Sequence, residues 1–356
     1  MHWELTEEQN LYADSLREWL AARAVPEQVR SWLDAGDQDS FDVAMTEEGW
    51  AGVGFAESVG GQGGDLLELA LAARELGRAA APSARWLARA LAACVLDDEP
   101  ALARAALESG ELTTVAVRGD RAPGTPVLTF ADGLLTGTVP CVLAGALAHR
   151  FVVPVVSADG PALAVVERDA DGVQVRPRAL LDRSRSAADV SFDATPARPL
   201  ACDDVAGALT ALRNRAAVLV AADSLGAAER MLDMTVEYSK QRKQFGRPIA
   251  GFQAVKHAAA QMLVTVESAY SVALYAAASV QEDIEDCDLH AAAAKTQACG
   301  PCADLADSAL TVHGAIGYTW EYDLQLFYKR AKLNRALFGA PSEWNEFIAA
   351  ALPLVS

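Results

Sequence analysis

Arg242, Gln244 and Phe245 stand within four residues of one another, and Gln253 follows eight residues after Phe245. A guanidinium can fork onto a pyrophosphate with two parallel hydrogen bonds. A phenyl ring offers a flat apolar face, and a carboxamide supplies a donor and an acceptor for the polar edge of a base. A second group, Thr311, Val312, His313, Gly314 and Ala315, is followed by Gly317. Its glycines let backbone N–H groups come close to an anion. The chemistry these two groups can do is the holding of a nucleotide rather than the making or breaking of a bond.

Other suggestive spacings carry less. Cys299 and Cys302 form a CxxC around Gly300-Pro301. A zinc site needs a second ligand pair at similar spacing, and a thioredoxin-like site needs a strand before it. Neither is present, and both flanks read as helix, so the expectation is two buried thiols beside a Gly-Pro irregularity. The glycine-rich stretch 60–64 lacks the lysine and the strand-helix order of a phosphate loop and reads as a turn.

The elements that must position these residues come in three blocks. Residues 1–112 read as helical, with Thr6 as N-cap before Glu7 and Glu8 and apolar residues at helical spacing through Leu11, Leu16, Trp19 and Leu20. A further helix is expected over 66–78. Residues 113–202 change texture: short β-branched runs at 113–117, 151–156, 163–166 and 173–175 alternate with Gly, Pro and Asp turns, which predicts a small β-domain. From 203 to 356 four apolar-periodic stretches, about 205–240, 252–282, 288–311 and 323–336, predict a four-helix bundle. The fold class is therefore mainly α with a central β-domain. The first motif lies at the end of one bundle helix and the second at the end of another.

Composition bounds the partners. The 356 residues are 52% hydrophobic but only 7% aromatic, so Ala, Leu and Val fill the interior and favour close helix packing. A net charge of -18 excludes a nucleic-acid role, which needs a basic surface, and disfavours anionic membranes. No uninterrupted apolar run approaches the ~20 residues of a membrane span, and the start of the chain lacks signal-peptide order, so the expected location is the cytoplasm.

The stretch 238–249 with its RKQFG core, the following Phe252-Gln253, and His313 through Glu321 closely resemble the C-terminal domain of acyl-CoA dehydrogenases. Residues 49–54, the pair Gly60-Gly61 and residues 75–78 resemble the N-terminal domain of the same family. The resemblance spans nearly the whole chain and is poorest in the middle. It implies a helical N-terminal domain, a β-barrel-like middle domain and a C-terminal four-helix bundle. It also implies FAD as cofactor, an acyl-CoA substrate and an electron-transfer flavoprotein as acceptor. In the family, the residues matching Arg242, Gln244, Phe245, Gln253 and 311–315 bind the ADP half of the FAD of a neighbouring subunit.

The same resemblance exposes what this chain lacks. The family's reaction removes an α-proton from the thioester with a glutamate and passes the β-hydride to the flavin. Family members carry that glutamate at one of two positions, which here are Phe338 and Ala216. Glu343 and Glu321 stand nearby as carboxylates, both expected to be exposed or structural. The flavin-ring segments are also altered: no Thr-Glu-Pro segment surrounds 117–120, and the Trp-Ile-Thr segment reads Cys141-Val142-Leu143. Retention of the neighbour-facing residues with loss of the chain's own catalytic set resembles the shortened subunits of actinobacterial steroid-CoA dehydrogenases, which assemble as α2β2 with a sister subunit. That resemblance implies a partner with no catalytic residue of its own. A homotetrameric enzyme with a relocated base and a non-enzymatic interaction protein stand as alternatives.

Overall fold

In the computed structural model, residues 4–96 and 99–352 are described. Six helices come first: α1 (Glu7–Arg23), α2 (Pro26–Ala35), α3 (Asp39–Glu47), α4 (Leu66–Arg78), α5 (Ala84–Ala93) and α6 (Pro100–Glu108). Thr6 caps α1 as expected, in a reciprocal box with Gln9 that satisfies two otherwise unpaired donors. Asp65 and Glu68 form the same device on α4, and Gln9 Nε2 donates to Glu68 at 2.7 Å, so the two caps are tied together.

The middle of the chain is a mixed sheet. Its strands are β1 (Thr113–Val115), β2 (Leu128–Ala131), β3 (Leu134–Leu143), β4 (Arg150–Ser157), β5 (Gly160–Glu167), β6 (Val173–Arg178), β7 (Ala187–Pro196) and β8 (Arg198–Leu200). They lie in the order β6-β7-β3-β2-β4-β5-β8, with β1 also on β4. β1 and β2 run parallel to β4, and the other pairs are antiparallel. Phe151 and Phe192 meet edge to face at 6.1 Å in its core.

α7 (Val205–Gln241) then runs 37 residues before a two-strand hairpin, β9 (Lys243–Gln244) and β10 (Arg247–Pro248). The bundle continues with α8 (Gln253–Gln281), α9 (Cys287–His313), α10 (Leu324–Ala336) and α11 (Pro341–Ala351). α11 adds a fifth helix to the four expected. It starts on a proline and anchors through Trp344, 1% exposed, which makes it too short and too sparsely apolar to stand out by periodicity. α9 runs unbroken through Pro301, as the 288–311 stretch expected, because flanking bundle helices outweigh one lost ladder bond. α7 and α8 reach the length and mean hydropathy (1.3) of a membrane span, although neither contains the uninterrupted apolar run that was sought in the sequence. Both pack within the bundle, where an alanine-rich surface lets helices come close.

α4 crosses α7 at backbone contact. A Cβ on Gly226 would meet the Arg74 carbonyl oxygen at 1.8 Å, and one on Gly77 would meet that of Asp223 at 2.2 Å. Beneath this crossing the three blocks share one buried ionic cluster. Arg330 donates to Asp182 at 3.0 Å and to Asp223 at 2.9 Å, Arg185 donates to Asp223 at 2.6 Å, and Asn334 donates to Asp223 at 2.6 Å. Arg185 also reaches Ser83, and Arg330 the carbonyl of Ala81, so the N-terminal block is held as well. Burial pushes the Asp223 carboxyl up, yet Arg185 and Arg330 more than reverse it, and the carboxyl is held below its ordinary value.

Candidate functional site

The first limb of the site is built at the end of α7. The Arg242 N–H closes the last helical turn on Tyr238 O at 2.8 Å, and the Arg242 carbonyl accepts from Ile249 at 2.8 Å. Between them the β9–β10 hairpin turns on Phe245 and Gly246, with φ of 53° and 78°. Two successive positive φ values give the sharp turn whose twist suits a two-residue hairpin. Phe245 is thereby lifted out at its tip, 91% exposed, with its ring edge to face with Phe252 at 6.1 Å. Gln253 opens α8 directly below. Arg242, Gln244, Phe245 and Gln253 are all exposed, so the structure gathers these four on one projecting turn.

Lys240, Lys243 and Arg247 share that turn. Among the described residues none of them, nor Arg242, is paired with a carboxylate, and Arg247 lies 4.3 Å from the Phe252 ring centroid. Four cations without a carboxylate partner, within eight residues of a chain of net charge -18, make a locally positive surface. The reading of single motif positions missed Lys240, Lys243 and Arg247; their common sign was the available signal.

The second limb ends α9. Thr311 and Ala315 are exposed and Val312 half-buried. Gly314 adopts φ 64°, ψ -142°, a conformation open only to glycine, which turns the chain out of the helix. Gly317 is buried, and a Cβ there would meet Leu310 at 2.9 Å. The His313 side chain turns inward and is 3% exposed. Of the nine positions expected to bind the nucleotide, His313 is therefore the one whose side chain is held away from the surface.

The two positions where the resemblance places a base carry no carboxylate, and both are buried. Ala216 is fully buried in α7. Phe338, 1% exposed with φ 55°, donates its N–H to Gly119 O at 2.7 Å and accepts from Trp344 Nε1 at 2.9 Å. Gly119 in turn donates to Cys141 O at 2.9 Å, and the Cys141 N–H donates to Asp189 at 2.9 Å. Glu343 accepts from the Ala122 N–H at 3.1 Å, and Gly339, φ 97°, has room for no Cβ because Ala122 N would lie 2.9 Å away. The three segments that should flank a flavin ring, around 117–122, 141–143 and 338–343, are thus hydrogen-bonded to one another. Glu321 is exposed.

The thiols of Cys299 and Cys302 are fully buried in the bundle. Ser224 donates to Cys299 Sγ at 3.4 Å, and burial raises the Cys302 thiol well above its ordinary value. No group of His, Cys, Asp and Glu suited to a metal occurs among the described residues.

A helical block, a mixed sheet and a helical bundle that ends on a cation-rich turn define the architecture of this chain. Residues 6–97 match the acyl-CoA dehydrogenase, N-terminal domain, and residues 207–352 the acyl-CoA dehydrogenase, C-terminal domain. Acyl-CoA dehydrogenase IpdE2 of Mycobacterium tuberculosis is 33% identical over 95% of this chain and 95% of its own. The ChsE4-ChsE5 complex from Mycobacterium tuberculosis superposes with a TM-score of 0.87 at 26% identity, covering all of both chains. A variant of the Tcur3481-Tcur3483 steroid ACAD superposes with a TM-score of 0.86 at 25% identity over 97% of each chain. The chain belongs to the acyl-CoA dehydrogenase family, whose members are FAD-dependent oxidoreductases acting on acyl-CoA. Residues 98–206, outside both family matches, contain the segments that depart from the flavin-ring pattern.

Proposed function

We propose that this chain is the non-catalytic subunit of a heteromeric FAD-dependent acyl-CoA dehydrogenase. A sister subunit supplies the base and the flavin-ring contacts, and this chain completes the sister's FAD site. The observation that carries the reading is Phe338: the base position holds a buried phenyl group whose backbone is bonded to Gly119. An N–H committed to a carbonyl is not offered to a ligand, and a phenyl group cannot take the α-proton.

The exposed turn fits the other half of the cofactor. Arg242, with Lys243 and Arg247 beside it, would hold the pyrophosphate; Phe245 would cover the adenine; Gln244 and Gln253 would meet polar edges. Thr311 and the backbone of 312–315 would close the second side. FAD supplies the hydride-accepting chemistry, and this chain supplies binding and orientation. Two solved structures similar to this chain bear paired names, which supports an α2β2 assembly here. One of them is a steroid ACAD, which supports a steroid-type acyl-CoA substrate, with an electron-transfer flavoprotein as acceptor. The units we assign are 1–112, 113–202 and 203–356, in a cytoplasmic protein.

The test is the visible spectrum of the chain purified alone and with its co-expressed sister. A colourless chain that becomes part of a yellow, active complex only when paired is the expected result. A chain that is yellow alone and bleaches on adding acyl-CoA would overturn the reading and restore a homomeric enzyme.

A further inference from the structure

Three aromatic rings from three elements meet beneath the nucleotide-binding face. Tyr238, one turn before Arg242, stacks on His313 with centroids 4.6 Å apart and planes 25° apart. Tyr322, in the segment leading into α10, lies 5.2 Å from His313 and 6.3 Å from Tyr238. His313 Nδ1 and Ala309 O are 2.7 Å apart, and because a carbonyl only accepts, Nδ1 carries the proton.

We infer that His313 is a positioning residue for the cofactor: by stacking on Tyr238 it sets the Arg242 turn at a fixed distance from the 314–315 backbone. The inference rests on the shared-FAD reading above and names the joint on which that site depends.

α7 and α9 pack against each other along the bundle, and the two limbs leave it just beyond the Tyr238–His313 contact. The hairpin that carries Arg242 and Phe245 is exposed throughout its strands, and the second limb leaves α9 on a glycine conformation. Tyr238 O accepts from Arg242, so a shift of the Tyr238 backbone moves the Arg242 backbone with it. His313 is covalently next to Gly314. One ring contact therefore joins the residue before one limb to the residue that starts the other. Burial favours the neutral imidazole and holds His313 below its ordinary value, which keeps the stack uncharged. The role is in ring shape and not in proton transfer, so a phenyl group can replace it.

The experiment uses the complex of this chain with its sister subunit, stripped of flavin and titrated with FAD. His313→Ala is expected to weaken FAD binding about three- to tenfold, the range of one aromatic pair, with subunit assembly retained. His313→Phe is expected to restore affinity to within about twofold of the parent, because stacking survives. Tyr238→Leu, which removes the ring from the other side, should reproduce His313→Ala and covers the case in which that variant fails to fold. If Arg242→Ala weakens FAD and neither ring variant does, the positioning role is wrong and the shared site stands. If Arg242→Ala also has no effect, the shared site itself fails. Loss of assembly in His313→Ala, without recovery of FAD affinity in His313→Phe, would reduce His313 to a packing residue and overturn the inference.

Discussion

The amide of Phe338 donates to the carbonyl oxygen of Gly119 at 2.7 Å, joining the end of α10 to the sheet domain at the point where the family carries its base. One hydrogen bond of this kind contributes only about 1 kcal/mol. Its importance is geometric: with Gly119–Cys141 and Ala122–Glu343 it fastens together the segments around 117–122, 141–143 and 338–343.

Restoring a carboxylate at that position should not restore an enzyme. Phe338→Glu places an acid in an enclosed site, and burial raises its folded-state pKa above the ordinary ~4.3. The cost is small while the group stays protonated in both states, below about pH 3.5, and grows as pH rises towards the folded value. Thermal melts at several pH values should show a widening deficit against the parent. Flavin bleaching by acyl-CoA in Phe338→Glu alone would contradict a closed site.

Arg242→Ala should lower the FAD content of the assembled complex. A charged hydrogen bond to phosphate contributes about 1.5–3 kcal/mol, which is roughly tenfold to a hundredfold in the dissociation constant. Flavin titration of the stripped complex measures it, and unchanged affinity would remove Arg242 from the site.

Glu343→Gln and Glu321→Gln should each leave turnover of the complex within about threefold of normal. Glu343 is engaged by the Ala122 N–H, and an amide oxygen can still accept that bond. Glu321 is exposed. A fall of several orders of magnitude in kcat with flavin retained, in either variant, would identify a relocated base.

Arg330→Met should be strongly destabilising, by about 3–5 kcal/mol, because Asp182 and Asp223 lose a cation while remaining buried. Denaturant melts of the complex would measure the loss, and a change under 1 kcal/mol would mean the cluster relaxes around the gap.

The same cluster sets an acid limit. The Asp223 carboxyl is held below its ordinary 3.8, so its ionisation contributes stability that is fully present above that value. The contribution is lost as pH falls through the folded-state value. Asp223→Asn should therefore be much less stable than the parent near neutrality, and the gap should narrow below about pH 4. A gap independent of pH would show that Asp223 acts by packing alone.

The long bundle helices were legible to within a residue or two at most ends: 205–240 became Val205–Gln241 and 252–282 became Gln253–Gln281. Apolar spacing over seven or more turns leaves little ambiguity. The Thr6 cap was legible because its hydrogen bonds are local. β3 and β7 were not singled out, since Gly137, Pro140, Asp189 and Pro196 interrupt their patterns. Their pairing, which bridges some 50 residues, overrides local preference. The expected middle β-domain is present as a mixed eight-stranded sheet.

At the site, residue types alone established that Phe338 and Ala216 cannot accept a proton, and that an arginine, a phenyl ring and two glutamines stand together between 242 and 253. Those are statements about chemistry a side chain has or lacks, and no fold can change them. Tertiary structure decided which groups face outward and which are enclosed. It turned His313 inward against Tyr238 and lifted Phe245 into the open. It also brought Gly119, Cys141 and Phe338 together from positions some 20 and 200 residues apart. Contacts across such separations depend on how α10 and the sheet dock, and docking is set by the burial of whole faces rather than by any motif.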